Sequence, residues 1–301
     1  MIGLFDSGHG GLTVLRALAE RFPQQQMIYL GDHANAPYGD RDAQDVIALT
    51  QTGVSRLFDL GCRLVLLACN TATAVACRKL QCDWLPTSGY GGHNLLGIVA
   101  PTVEVATQVP WAVTTPQYPQ KYNTETIAVF GTSRTIASNV YDEEIRKRCP
   151  QVRVIQQACP TLASGIETGW SREALAERVS FYVAEMLEQA GDQLPERVIL
   201  GCTHYPLVED LFRDALPDHI RILGQPSAVA DSLEDYLSRH AHYATPGGGQ
   251  SHVQLLTTGD AAQTSETLSL FWADAPRFQN FGKFTGKSDS YHRMPGSDVD
   301  R

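Results

Sequence analysis

Short, mostly apolar runs recur along the chain at strand length. They are Ile2–Phe5, Met27–Leu30, Leu64–Ala68, Leu96–Val99, Ile127–Phe130, Val152–Ile155, Val198–Leu200, Ile220–Leu223 and Val253–Leu256. Continuous rather than alternating apolar character predicts strands covered on both faces. Between them the period changes. Leu12, Leu15, Leu18 and Ala19, and later Val179, Val183, Met186 and Leu187, recur at spacings of three and four, which predicts amphipathic helices. Strands alternating with helices imply an α/β fold with mainly parallel sheets.

The pattern also repeats. Ile2-Gly3-Leu4-Phe5-Asp6-Ser7-Gly8 resembles Ile127-Ala128-Val129-Phe130-Gly131-Thr132-Ser133, an offset of 125 residues. Met27 and Val152 open strands at the same offset, 125. Leu66-Leu67-Ala68-Cys69-Asn70-Thr71 resembles Ile199-Leu200-Gly201-Cys202-Thr203-His204 at an offset of 133. The same elements in the same order predict two similar α/β domains related by a pseudo-twofold, with a site between them. The expected division is residues 1–97 plus 206–282 for the first domain and 98–205 for the second. A polar tail, 283–301, is expected to be disordered. Two stretches, 84–94 and 108–126, read as insertions that serve as lids or contact surfaces.

Composition narrows the function classes. Among 301 residues, 24 Lys and Arg face 33 Asp and Glu, a net charge of −9, which disfavours nucleic acid as the main partner. No apolar run approaches the roughly 18 residues of a membrane span. The N-terminus opens as a strand with no basic region ahead of it, so no secretory leader is read and a reducing, cytoplasmic setting is expected.

Seven cysteines are then free to be buried or reactive rather than bridged. Cys62, Cys77, Cys82, Cys149 and Cys159 are read as small core residues. No Cys-x2-Cys pair and no His-x3-His accompanies them, so no metal site is expected. Cys69 and Cys202 differ, because each follows a buried strand and enters a turn. Ligands of open α/β sheets bind beyond the carboxyl ends of strands, and helix N-terminal amides lower a thiol's pKa there. Asp6-Ser7-Gly8-His9-Gly10-Gly11 is a tight strand-to-helix turn, but not a phosphate loop, and His9 is read as a turn residue. Asp32 to Arg41 forms a second polar loop, in which Pro37-Tyr38-Gly39 offers backbone N–H groups to a carboxylate.

Taken in order, Asp6-Ser7-Gly8, Gly31-Asp32 with Pro37-Tyr38-Gly39, Cys69-Asn70-Thr71-Ala72 and Gly201-Cys202-Thr203-His204-Tyr205-Pro206 resemble glutamate racemase, of the cofactor-independent aspartate/glutamate racemase superfamily. The resemblance runs from residue 2 to about 282. Cys159-Pro160 with Glu167, and Thr257-Thr258-Gly259-Asp260, resemble further segments of that family. The chain departs from the family where Pro101 is followed by Thr102, and in the length between the two cysteines. The resemblance implies racemisation by two opposed thiols with no cofactor and no metal, supplying D-glutamate for peptidoglycan. It implies catalytic roles for Cys69 and Cys202, with Asp6 assisting the first, His204 the second, and Glu167 orienting His204 or the substrate ammonium. Asp6, Ser7, Tyr38, Gly39, Asn70, Thr71, Thr203 and His204 would hold a small-molecule substrate, and a homodimer is implied. Aspartate, another amino acid or a hydantoin remain open as substrates, as does a non-catalytic regulatory role.

Overall fold

The computed structural model describes residues 1–113, 115–116, 118–120, 125–245 and 252–283. The expected disordered tail beyond residue 283 and parts of the 108–126 stretch lie outside the described residues.

Among the described residues, ten strands form two sheets. They are β1 (Ile2–Asp6), β2 (Met27–Gly31), β3 (Leu64–Leu67), β4 (Asn94–Gly97), β5 (Thr126–Gly131), β6 (Arg153–Ala158), β7 (Arg197–Gly201), β8 (Arg221–Leu223), β9 (Val253–Thr257) and β10 (Phe278–Asn280). The first sheet has the order β10-β9-β2-β1-β3-β4 and the second β6-β5-β7-β8. Every pair is parallel. The expected two-sheet α/β architecture is therefore present. The repeat appears as topology: β2-β1-β3-β4 and β6-β5-β7-β8 are the same arrangement, and β9 and β10 extend the first on its β2 edge.

Burial on both faces explains the continuous apolar runs. Ile2 and Leu4 of β1 pack on the helices Leu12–Arg21 and Gln225–Arg239, through Leu15, Leu18, Val229 and Leu233. Phe5 points the other way, among Val46, Val54 and Leu57 of the helix Ala43–Asp59. In the second sheet, Ala128 and Phe130 meet Val179, Val183 and Met186 on one side, and Ile127 and Val129 meet Val99, Val103 and Ile145 on the other.

Four expectations change. The first concerns the division of the chain. Residues 206–223 do not return to the first sheet, because β8 pairs with β7, and Leu211, Phe212, Leu216 and Ile220 pack in the second core. The fourth strand of the repeat needs them there, and the chain crosses back only at Gly224. Second, the run Leu96–Val99 is cut short: β4 ends at Gly97, and Val99 starts the helix Val99–Thr107. Third, Cys82 is exposed rather than core, while the other six free cysteines are buried. Fourth, the 84–94 stretch is no lid. Its Trp84, Tyr90 and His93 rings pack on the buried Phe58 of the helix Ala43–Asp59, and none of it lines the site cavity.

Candidate active site

Equivalent strand ends in the two sheets converge on one cavity. It is lined by Ser7 after β1, Cys69, Asn70 and Thr71 after β3, Thr132 and Ser133 after β5, and Cys202, Thr203 and His204 after β7. Pro37, Gly39 and Asp40 and the segment around Cys159–Ser164 complete the rim.

Cys69 caps the short helix Asn70–Ala72, its Sγ accepting from the Ala72 N–H at 3.4 Å. The Ser7 hydroxyl lies 3.5 Å from the same sulfur. Those contacts favour a thiolate, yet the thiol is pushed up to about 12. Burial is the largest cause, and the Asp6 carboxylate adds to it. The lowered pKa expected from helix amides is thus overridden at Cys69. Asp6 is itself buried. Its Oδ2 accepts from the N–H groups of Gly8 and Gly11 and from the Tyr29 hydroxyl, which leaves Oδ1 with no partner among the described residues.

The other side is built differently. The Cys202 sulfur lies 3.8 Å from His204 Nδ1, and His204 Nε2 lies 3.0 Å from Glu167 Oε2. Burial opposes charge on His204, but the contacts with Cys202 and Glu167 overcome it and raise its pKa well above 6.5. Burial likewise opposes charge on Glu167, but hydrogen bonds from His204 and then His9 hold its carboxyl far below the usual range. The second Glu167 oxygen reaches His9 Nδ1 at 2.6 Å. A line of polar contacts therefore runs Cys202–His204–Glu167–His9.

Several expected residues sit behind the cavity wall rather than in it. Glu167 and Asp6 back His204 and Cys69 without lining the space. Tyr38 is buried and its hydroxyl donates to Asp32 at 2.6 Å, so it is not brought to the cavity. Asn70 lines it, but its amide is largely committed. It donates to Gln225 Oε1 at 2.7 Å and accepts from Tyr141 and from Gln225. The Thr71 hydroxyl meets Thr132 at 3.0 Å, so it bridges the two sheets. Gly39 accepts the Arg134 N–H at 2.9 Å, tying the Asp32–Arg41 loop to the second sheet.

Thr132, Ser133, Gln225 and Tyr141 were not singled out from sequence. The first two could have been, since the 125-residue offset aligns them with Ser7 and Gly8. His9 is more than a turn residue: it is buried and carries Glu167.

Gly10 shows how tightly the His204 side is packed. A Cβ at this position would fall 2.5 Å from His204 Nδ1 and from Thr203 Oγ1. Gly10→Ala is expected to displace the imidazole and lower kcat by about 10-fold to 100-fold in a folded protein. Steady-state kinetics with a circular dichroism control checks this, and an unchanged kcat would show that the ring position is not critical.

The family model described as Asp/Glu/Hydantoin racemase matches residues 12–232. The chain belongs to this racemase family. Its sequence is 46% identical over 284 residues to a glutamate racemase of Caulobacter sp., covering 92% of this chain and 99% of that one. It is 44% identical to a glutamate racemase of Phenylobacterium zucineum over 284 residues, with the same coverage of 92% and 99%. Among solved structures, a glutamate racemase isoform from Bacillus anthracis superposes with a TM-score of 0.79 at 26% identity, over 93% of this chain and 96% of that one. This racemase is thus an isomerase built on the family's two α/β sheets.

Proposed function

We propose that the protein interconverts L- and D-glutamate by direct proton transfer between two thiols, without a cofactor. The observation that carries this reading is the cavity itself, lined by Cys69 from one sheet and Cys202 from the other at equivalent strand ends. Inverting Cα requires a proton to leave one face and another to arrive on the opposite face. One thiol on each side supplies both.

In the L-to-D direction Cys202 is the base. His204, charged and anchored by Glu167, stabilises its thiolate. Cys69 is held as the neutral thiol, so it is the acid that protonates the carbanion from the far side. In the reverse direction Cys69 must lose its proton, and the unpartnered Asp6 Oδ1 is the atom we assign to receive it. Ser7, Thr71, Thr132, Thr203 and the remaining Asn70 N–H are neutral donors for the substrate's carboxylates. D-glutamate for peptidoglycan, made in the cytoplasm by a homodimer, completes the proposal.

The family description covers aspartate and hydantoins as well as glutamate. Polarimetry of purified protein with L-glutamate, L-aspartate and a 5-substituted hydantoin separates these. Loss of rotation with glutamate alone is expected, and rotation lost faster with aspartate or hydantoin would overturn the substrate assignment.

A further inference from the structure

Behind His204 lies a cluster that shares only Glu167 with the proton-transfer machinery above. His9, His33 and Glu167 each present one ligand atom, and these atoms all lie within 4.8 Å of one another. A tetrahedral ion with bonds of about 2.1 Å needs ligand atoms about 3.4 Å apart, so small side-chain movements suffice. The surroundings are apolar on one side, where Phe271 stacks on His9 at 5.3 Å and Phe278 meets the edge of His33 at 5.1 Å.

The outward hydrogen bonds of the two imidazoles decide what the cluster can do. His9 Nε2 lies 2.8 Å from the Thr264 carbonyl, which can only accept, so Nε2 carries a hydrogen. His33 Nδ1 lies 3.2 Å from the Gly31 carbonyl and 2.9 Å from the Thr257 hydroxyl, so Nδ1 carries a hydrogen. His33 then has its lone pair on Nε2, facing the cluster, whereas His9 Nδ1 gives its hydrogen to Glu167 Oε1 at 2.6 Å, so an ion bound between them takes the place of that proton and releases it. His33 Nε2 is buried and has no partner among the described residues. Imidazoles whose second nitrogen donates to a carbonyl are the arrangement that fixes tautomer and ring direction in metal sites.

We propose that His9 Nδ1, His33 Nε2 and a Glu167 carboxylate oxygen form a binding site for one divalent ion of the zinc class. Two imidazoles and one carboxylate suit zinc better than calcium or magnesium, which take oxygen sets. The spacing of the ligands in sequence, 24 and 134 residues, explains why no metal motif was legible. Glu167 also holds His204 Nε2 at 3.0 Å, so an ion that takes the carboxylate competes with the contact that anchors the His204 ring. Occupancy therefore inhibits racemisation. That consequence rests on the two-thiol reading, whereas binding does not.

Titration of the full-length protein with Co2+ tests the site, because its spectrum reports the ligands. Expected is one equivalent with weak visible bands and no intense thiolate charge-transfer band, displaced by Zn2+. His33→Ala and Glu167→Gln should each weaken binding by at least about tenfold, while Cys69→Ala and Cys202→Ala bind as the parent. Circular dichroism identifies folded variants, and the two ligand substitutions give independent readings. Binding unchanged in a folded ligand variant, a charge-transfer band that disappears in a cysteine variant, or no saturable binding would overturn the proposal. In assays, Zn2+ should inhibit the parent and not His33→Ala. A parent inactive without metal would count against the two-thiol reading and leave the Co2+ titration as the test of the site.

Discussion

Cys69→Ala and Cys202→Ala are each expected to reduce racemisation by at least about 10³-fold, because either change removes the only proton-transferring group on one face of Cα. Both side chains are buried and small, so the proteins should still fold, at a cost of about 1 kcal/mol or less. Cys→Ser at either position should leave only a small residue of activity, since a hydroxyl is a far weaker base than a thiol. The two thiols are electrostatically unlike, Cys69 beside an acid and Cys202 beside a cation. The substrates, however, are mirror images with an equilibrium constant of one. The ratio kcat/KM must therefore be equal in both directions at every pH. The asymmetry can appear only in kcat and KM taken separately. Near-parent activity in either alanine variant would remove the basis of the mechanism.

Glu167→Gln is expected to lower kcat by about 100-fold while the cavity residues stay in place. The carboxylate is the shared anchor of His204 at 3.0 Å and His9 at 2.6 Å. Without it the His204 pKa falls back toward 6.5, and the high-pH limb of the activity profile moves to lower pH. Stability should follow the same groups. Glu167 has a depressed folded pKa, so its contribution is present above its ordinary value of 4.5 and is lost as pH falls through the folded value. His204 has a raised folded pKa, so its contribution is present below 6.5 and is lost as pH rises through the folded value. The stability gap between parent and variant should therefore be widest from weakly acidic to neutral pH. It should narrow in strong acid and again at high pH. Urea unfolding of both proteins across pH measures it, and a gap that does not vary with pH would contradict the assigned ionisation.

Much of this architecture was written in the sequence because burial on both faces leaves a plain signal. Nine of the ten strands fall on apolar runs, while β10 does not, since Phe278 is the one apolar residue among its three. The repeat carried further than any single motif. It placed Cys69 and Cys202 at matching strand ends, and the matching sheet orders bear this out. Pressed harder, it would also have moved the boundary from 205 to 224, because a fourth strand had to exist opposite β4.

What stayed hidden depends on contacts between distant segments. Periodicity cannot tell that Asn70 spends its amide on Gln225, 155 residues away. Nor can it tell that Tyr38 turns its hydroxyl to Asp32. His9 looked like turn filler because its partner Glu167 lies 158 residues further along. The direction of the Cys69 shift was missed for a related reason. Helix amides are legible in sequence, but complete burial beside Asp6 is not, and burial is the larger effect.

The central claim is that Cα loses its proton on one face and receives a solvent-derived proton on the other, through thiols alone. Purified protein incubated with L-glutamate in deuterated water, with no added cofactor, tests it directly by mass spectrometry of the separated enantiomers. The account predicts D-glutamate carrying one deuterium at Cα from the first turnovers. D-glutamate that retains protium at Cα, or formation that depends on added pyridoxal phosphate, would contradict it.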